Sequence, residues 1–128
     1  TNNRDKILEH HLSSSEPTVL VSPSMTEGLD LKDDLGRFQI ICKVPYPNLG
    51  DPVIKKLLER SRRWYAWKTA LTLVQSVGRC IRNENDWAKT YILDSCFGDF
   101  FVQWSSFFTS PFLEMKIDET CQKIVKRK

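Results

Sequence analysis

What the chain lacks narrows it first. Its four cysteines, Cys42, Cys80, Cys96 and Cys121, are widely spread and form no C-x-x-C pair. That excludes the usual spacing of a zinc or iron–sulfur site and suits buried thiols in a reducing compartment. The only two histidines, His10 and His11, stand side by side in a polar stretch, so no metal site is expected. No apolar run approaches membrane-spanning length, and the N-terminus has no signal-peptide pattern. The chain therefore reads as cytoplasmic, without a membrane partner. A G-x-x-x-x-G-K-[ST] phosphate loop is missing, as are internal repeats and low-complexity tracts. A net charge of +3 is too small to mark a nucleic-acid binder, so any argument from basic residues rests on clustering.

What is present fits one globular domain. At 128 residues the chain can bury a real core but falls short of two domains. The expectation is a single domain over 1–128, with 111–128 as a C-terminal extension. Because the chain opens on Thr1 and polar residues of a helix, it reads as an excised piece of a longer protein.

Residues 5–12 place Ile7, Leu8 and Leu12 at helical spacing before Ser13-Ser14-Ser15. Residues 18–21, after Pro17, form a compact apolar run that reads as a buried strand. A second strand is expected at 38–44, closed by Pro45 and Pro47. Asp51-Pro52 has the form of an N-cap followed by a first-turn proline, and starts a helix with Val53, Leu57 and Leu58 on its apolar side. Residues 91–93 read as a third strand. Phe100, Phe101, Trp104, Phe107 and Phe108 then crowd a helix with a wide apolar side before Pro111. Strands alternating with helices give an α/β fold with a mainly parallel sheet.

The most informative stretch is Gln75-Ser76-Val77-Gly78-Arg79-Cys80-Ile81-Arg82. Helical periodicity predicts Gln75, Arg79 and Arg82 on one face, with Trp67, Ala70, Val74, Val77 and Ile81 on the other. Gly78 lowers helix propensity by about 1 kcal/mol but leaves room for close approach to the backbone. Two guanidiniums and an amide suit a multiply charged oxyanion such as a triphosphate. By spacing alone the same pattern describes a solvated amphipathic helix.

Lys55, Lys56, Arg60, Arg62, Arg63 and Lys68 cluster around Trp64, Tyr65 and Trp67. Cations with interleaved aromatics suit single-stranded DNA, where phosphates meet charge and bases stack on rings. Core tryptophans beside a solvated charged face are the competing reading.

Three segments follow one another in a telling order. Val19-Leu20-Val21 leads to Glu27-Gly28-Leu29-Asp30, the arginine-bearing stretch comes next, and Asp86 with Tyr91-Ile92-Leu93-Asp94 closes the set. Together they resemble motif V (E-G-x-D), motif VI (Q-x-x-G-R-x-x-R) and the terminal strand of the second motor domain of an XPD/DinG-type superfamily-two DNA helicase. Val44-Pro45-Tyr46-Pro47 is similar to that family's strand-to-loop passage. Two departures stand out: Asp94-Ser95-Cys96 replaces the family's D-x-R, and Trp87-Ala88 replaces a glycine near Asp86.

The resemblance implies a RecA-like three-layer domain, truncated at its N-terminal side. It implies that Arg79 and Arg82 act as arginine fingers, with Gln75 beside them, on ATP and Mg2+ held mainly by a first RecA-like domain. It implies nucleotide contacts at Gly28, Asp30 and Glu27, and coupling of that site to single-stranded DNA through Thr26 and Glu27; the basic cluster itself offers Arg62, Arg63 and Lys68 as DNA contacts. Without the resemblance, Asp30 also reads as a turn aspartate and Thr26 as a capping hydroxyl. The expected function is the C-terminal motor domain of an ATP-dependent DNA helicase, 5′-to-3′ by family pattern and inactive as an isolated fragment. The alternative is a non-catalytic nucleic-acid-binding or regulatory module that kept the fold.

Overall fold

A computed structural model of the chain describes residues 2–22, 31, 33–80 and 87–108. Thr26, Glu27, Gly28, Asp30, Arg82, Cys121 and the extension 111–128 lie outside the described residues.

Two short strands set the frame. β1 (Phe38–Ile41) pairs in parallel with β2 (Lys89–Ile92), Gln39 opposite Thr90 and Ile41 opposite Ile92. Side chains alternate across a strand, so Gln39, Ile41, Thr90 and Ile92 share the half-buried face while Phe38, Ile40, Lys89 and Tyr91 stay exposed. Two helices, α2 (Pro52–Arg60) and α3 (Arg62–Val77), make the crossover between the strands. The chain begins with α1 (Asn2–Ser13) and continues after β2 into α4 (Cys96–Trp104). The α/β class and the parallel pairing are as the sequence predicts.

The strand expected at 18–21 is not formed. Val19 and Val21 are 89% and 86% exposed, and the described sheet has two strands. An apolar run becomes a strand only where a neighbour completes its ladder, and β1 and β2 pair with each other. β1 is also shorter than expected. Beyond Ile41, the amide of Val44 goes to the Asp94 carboxylate rather than to a strand.

Local signals explain the helices. The Asp51 carboxylate accepts from the Val53 amide at 2.8 Å, and Pro52 opens α2 as expected. Ser61 serves two helices: its N–H closes α2 on the Leu57 carbonyl, while its hydroxyl accepts from the Trp64 amide to start α3. Its extended backbone (φ −156°, ψ 102°) keeps the two helices from fusing.

The buried face of α3 is Ala66, Thr69, Ala70, Leu73 and Ser76. Trp67, expected inside, is 44% exposed. The hydroxyls of Thr69 and Ser76 donate to the carbonyls of Tyr65 and Thr72, at 2.9 and 2.8 Å, so both small polar residues enter the core satisfied. Hydrophobicity alone misplaces that face.

Leu73 is fully buried, a gain of about 1.5–3 kcal/mol for such a side chain. Around it pack Val44, Phe97, Phe100 and Phe108, with Ile41, Val74, Val77, Ile92 and Trp104 at the margin. Phe108 meets Phe97 and Phe100 edge-on. The aromatic segment is therefore core. Among the described residues no helix is long and apolar enough to cross a membrane.

Candidate functional site

The arginine-bearing stretch departs from the expected helix. α3 ends at Val77; the Gly78 amide donates to the Val74 carbonyl at 3.1 Å, and the Arg79 amide turns back to the Ser76 carbonyl at 3.3 Å. Gln75 therefore sits exposed on the last turn of α3, while Arg79 stands half-buried on the turn beyond it. The two do not share a helical face. Glycine's low propensity weakens the helix here, and Ser76 directs its carbonyl to two other partners. One is the Arg79 amide; the other is the side chain of Gln39 on β1, whose Nε2 donates at 2.9 Å.

The residue that follows motif V in the chain meets this turn. The amide of Leu31, which directly follows Asp30, donates to the Arg79 carbonyl at 3.3 Å. Cys80, next in the chain, is buried and packs by the short 3-10 turn Asp33–Gly36. The close approach expected at Gly78 occurs instead at Gly36. A Cβ on Gly36 would lie 2.6 Å from the Leu31 carbonyl oxygen and 3.1 Å from the Cys80 sulfur; on Gly78 it would make only ordinary contacts. Arg37 fixes the far side of the same turn. Its guanidinium bonds Asp34 and the Trp87 carbonyl and lies 4.9 Å from the Trp87 ring centroid.

Gln39, Gly36 and Arg37 were not singled out by sequence reasoning. The available signal was a glutamine on the inward-facing register of an apolar strand.

Asp94 has a structural task. One carboxylate oxygen accepts from the Val44 amide at 3.0 Å and the other from the Cys96 amide at 3.1 Å, with Lys43 at 3.8 Å. It thus ties the end of β1 to the start of α4. The Val44 hydrogen bond is the main cause that holds its pKa below the ordinary 3.8; burial opposes it, and the Cys96 amide and the Lys43 charge assist.

The basic cluster lies at the opposite end of α3. Sixteen residues of helix separate Arg62 from Val77, roughly 24 Å. Arg62, Arg63 and Lys68 are exposed. The Arg63 guanidinium lies 5.3 Å from the Phe107 ring centroid and, with Ser61, Trp64, Trp67 and Phe107, lines a shallow open groove of about 400 Å³. Tyr65 faces the other way, stacked on Tyr46 with its hydroxyl donating to the Pro47 carbonyl. The structure thus groups Arg63 with the tryptophans and leaves Tyr65 to the fold. Among the described residues no three His, Cys, Asp or Glu side chains converge to hold a metal ion.

Residues 1–107 match the family model described as "Helicase C-terminal domain". A regulator of telomere elongation helicase 1 homolog from Drosophila ananassae is 34% identical over 88 residues, 59% of this chain and 9% of that protein. The ATP-dependent DNA helicase DDX11 of Mus musculus is 31% identical over 100 residues, 67% of this chain and 11% of that protein. The chain thus spans about a tenth of the length of these relatives. No solved structure matches. The ordered motifs and the match over most of its length agree: the chain belongs to the helicase C-terminal domain family, of the XPD/DinG type.

Proposed function

We propose that this chain is the second motor domain of an ATP-dependent DNA helicase, completing a nucleotide site whose other half lies on a separate RecA-like domain. The observation that carries this reading is the hydrogen bond to the Arg79 carbonyl from Leu31, the residue that follows motif V in the chain. In this reading Arg79 and Arg82 direct positive charge at the β- and γ-phosphates of ATP, with Gln75 beside them. Charge spreading over the equatorial oxygens during phosphoryl transfer is what a planar guanidinium stabilises from across a cleft. Gly28 admits the nucleotide close to the backbone, Asp30 accepts from a ribose hydroxyl, and Glu27 and Thr26 link the site to the DNA track. Mg2+ belongs with the phosphates on the other domain and would supply charge neutralisation there.

The exposed sheet face supports a RecA-like three-layer arrangement. Phe38, Ile40 and Tyr91 are 65%, 61% and 48% exposed, whereas parallel sheets are ordinarily covered on both faces. A second layer of helices over these side chains completes that arrangement. Single-stranded DNA runs along the groups near Arg62, Arg63 and Lys68.

The test is DNA-stimulated ATP hydrolysis by this chain together with the ATP-holding domain. Arg79→Ala and Arg82→Ala should each lower turnover by about 10³-fold or more. Lysine at either position should rescue little, since it lacks the planar fork. Wild-type turnover in both alanine variants would leave the alternative, a non-catalytic module that kept the fold.

A further inference from the structure

We propose that Gln39 is a positioning residue for Arg79, a strut that sets where the arginine-bearing turn stands relative to the sheet. This inference rests on Arg79 acting on ATP as proposed above. Gln39 occupies the inward face of β1, where the pattern of the strand calls for an apolar side chain. Instead its Nε2 donates to the Ser76 carbonyl at 2.9 Å, and its Oε1 accepts from the Thr90 hydroxyl on β2 at 3.2 Å. The orientation of the amide follows from its partners, because a carbonyl can only accept.

The Ser76 carbonyl is the junction. In a continuing helix it would receive the amide of residue 80; here it receives Gln39 from the sheet and the Arg79 amide from the turn. The Arg79 carbonyl is fixed in turn by Leu31. Both backbone groups of Arg79 are therefore anchored, one through Gln39 to the sheet and one to Leu31. A leucine of similar size would fill the same space without holding the junction. Glutamine alone among side chains of this reach offers both the donor for Ser76 and the acceptor for Thr90.

The experiment compares Gln39→Leu, Thr90→Val and their combination, with Arg79→Ala as reference, in this chain assembled with the ATP-holding domain. kcat and KM for ATP are measured alongside amide hydrogen exchange. Gln39→Leu should lower kcat on the order of 10- to 100-fold while leaving KM nearly unchanged, since geometry at the reacting phosphate is lost rather than ground-state binding. Exchange should rise at Gly78 and Arg79 and not at Leu73 in the middle of α3. Thr90→Val, which frees Oε1 without touching the Ser76 bond, should lower kcat less, and the double variant should be no worse than Gln39→Leu alone. Unchanged kcat in Gln39→Leu, with Arg79→Ala inactive, overturns the strut and leaves the arginine role standing. Normal turnover in Arg79→Ala overturns the functional reading itself. If Gln39→Leu loosens all of α3, Thr90→Val decides: an unchanged kcat there overturns the inference.

Discussion

A single carboxylate, Asp94, joins three elements, because its two oxygens take the amides of Val44 and Cys96 while its backbone carbonyl receives Phe97. Removing it leaves two backbone donors without partners beside the Phe97–Phe100 core. Hydrogen bonds to charged groups contribute about 1.5–3 kcal/mol, so Asp94→Ala should lower the unfolding free energy at neutral pH by roughly that amount in a urea titration. Asp94→Asn, which keeps one acceptor, should cost less. The pH dependence follows from the depressed pKa. The folded chain binds the proton more weakly than the unfolded one, so this contribution is fully present above the ordinary 3.8 and is lost as pH falls through the lower folded value. Asp94→Asn should lack that part of the acid limb, and identical acid limbs in the two proteins would show that the carboxylate contributes nothing there.

At the scale of elements, the crossover from β1 to β2 depends on helices with well-defined ends. Ser61 terminates α2 and starts α3 within one residue, and its hydroxyl is the capping acceptor. Ser61→Ala should destabilise the fold by about 0.5–2 kcal/mol, read as a lowered thermal midpoint, while Ser61→Asp should keep most of the cap. Equal midpoints for the alanine variant and wild type would mean that another group or solvent satisfies the Trp64 amide.

The Asp51-Pro52 start of α2 was legible in the sequence because capping is a local, side-chain-to-backbone signal. The end of α3 was not. The periodicity of Gln75, Arg79 and Arg82 continues past Val77, but the helix stops where Gln39, thirty-seven positions before Ser76, takes the Ser76 carbonyl. The run at 18–21 departs from the strand its sequence predicts for a related reason, since strand formation is decided by a partner elsewhere in the chain. The motifs themselves were legible as an ordered set, and the family match over residues 1–107 bears out that recognition.

For the molecule as a whole, α3 acts as a spacer. The turn beyond its C-terminal end carries Arg79, and its N-terminal end carries exposed cations and, with Phe107, lines the groove of Trp64 and Trp67. Between Lys55 and Lys68 stand six cations against the one acid Glu59, on a chain whose total is only +3, so the rest of the sequence is net acidic. Single-stranded DNA drawn to this chain should therefore engage the α2–α3 corner, about a helix length from the turn that carries Arg79. Binding there is governed by release of counterions, with a slope of log affinity against log salt of about −0.7 for each phosphate neutralised on a single strand. Arg62→Gln and Lys68→Gln should each flatten that slope by nearly one phosphate's worth and weaken binding without regard to sequence. Trp67→Ala should weaken binding through lost stacking while leaving the slope in place, because an indole carries no charge. Arg79→Gln, beyond the other end of the spacer, should leave the slope unmoved. A slope that responds to Arg79 but not to Arg62 or Lys68 would put the DNA at the wrong end of α3 for this assignment.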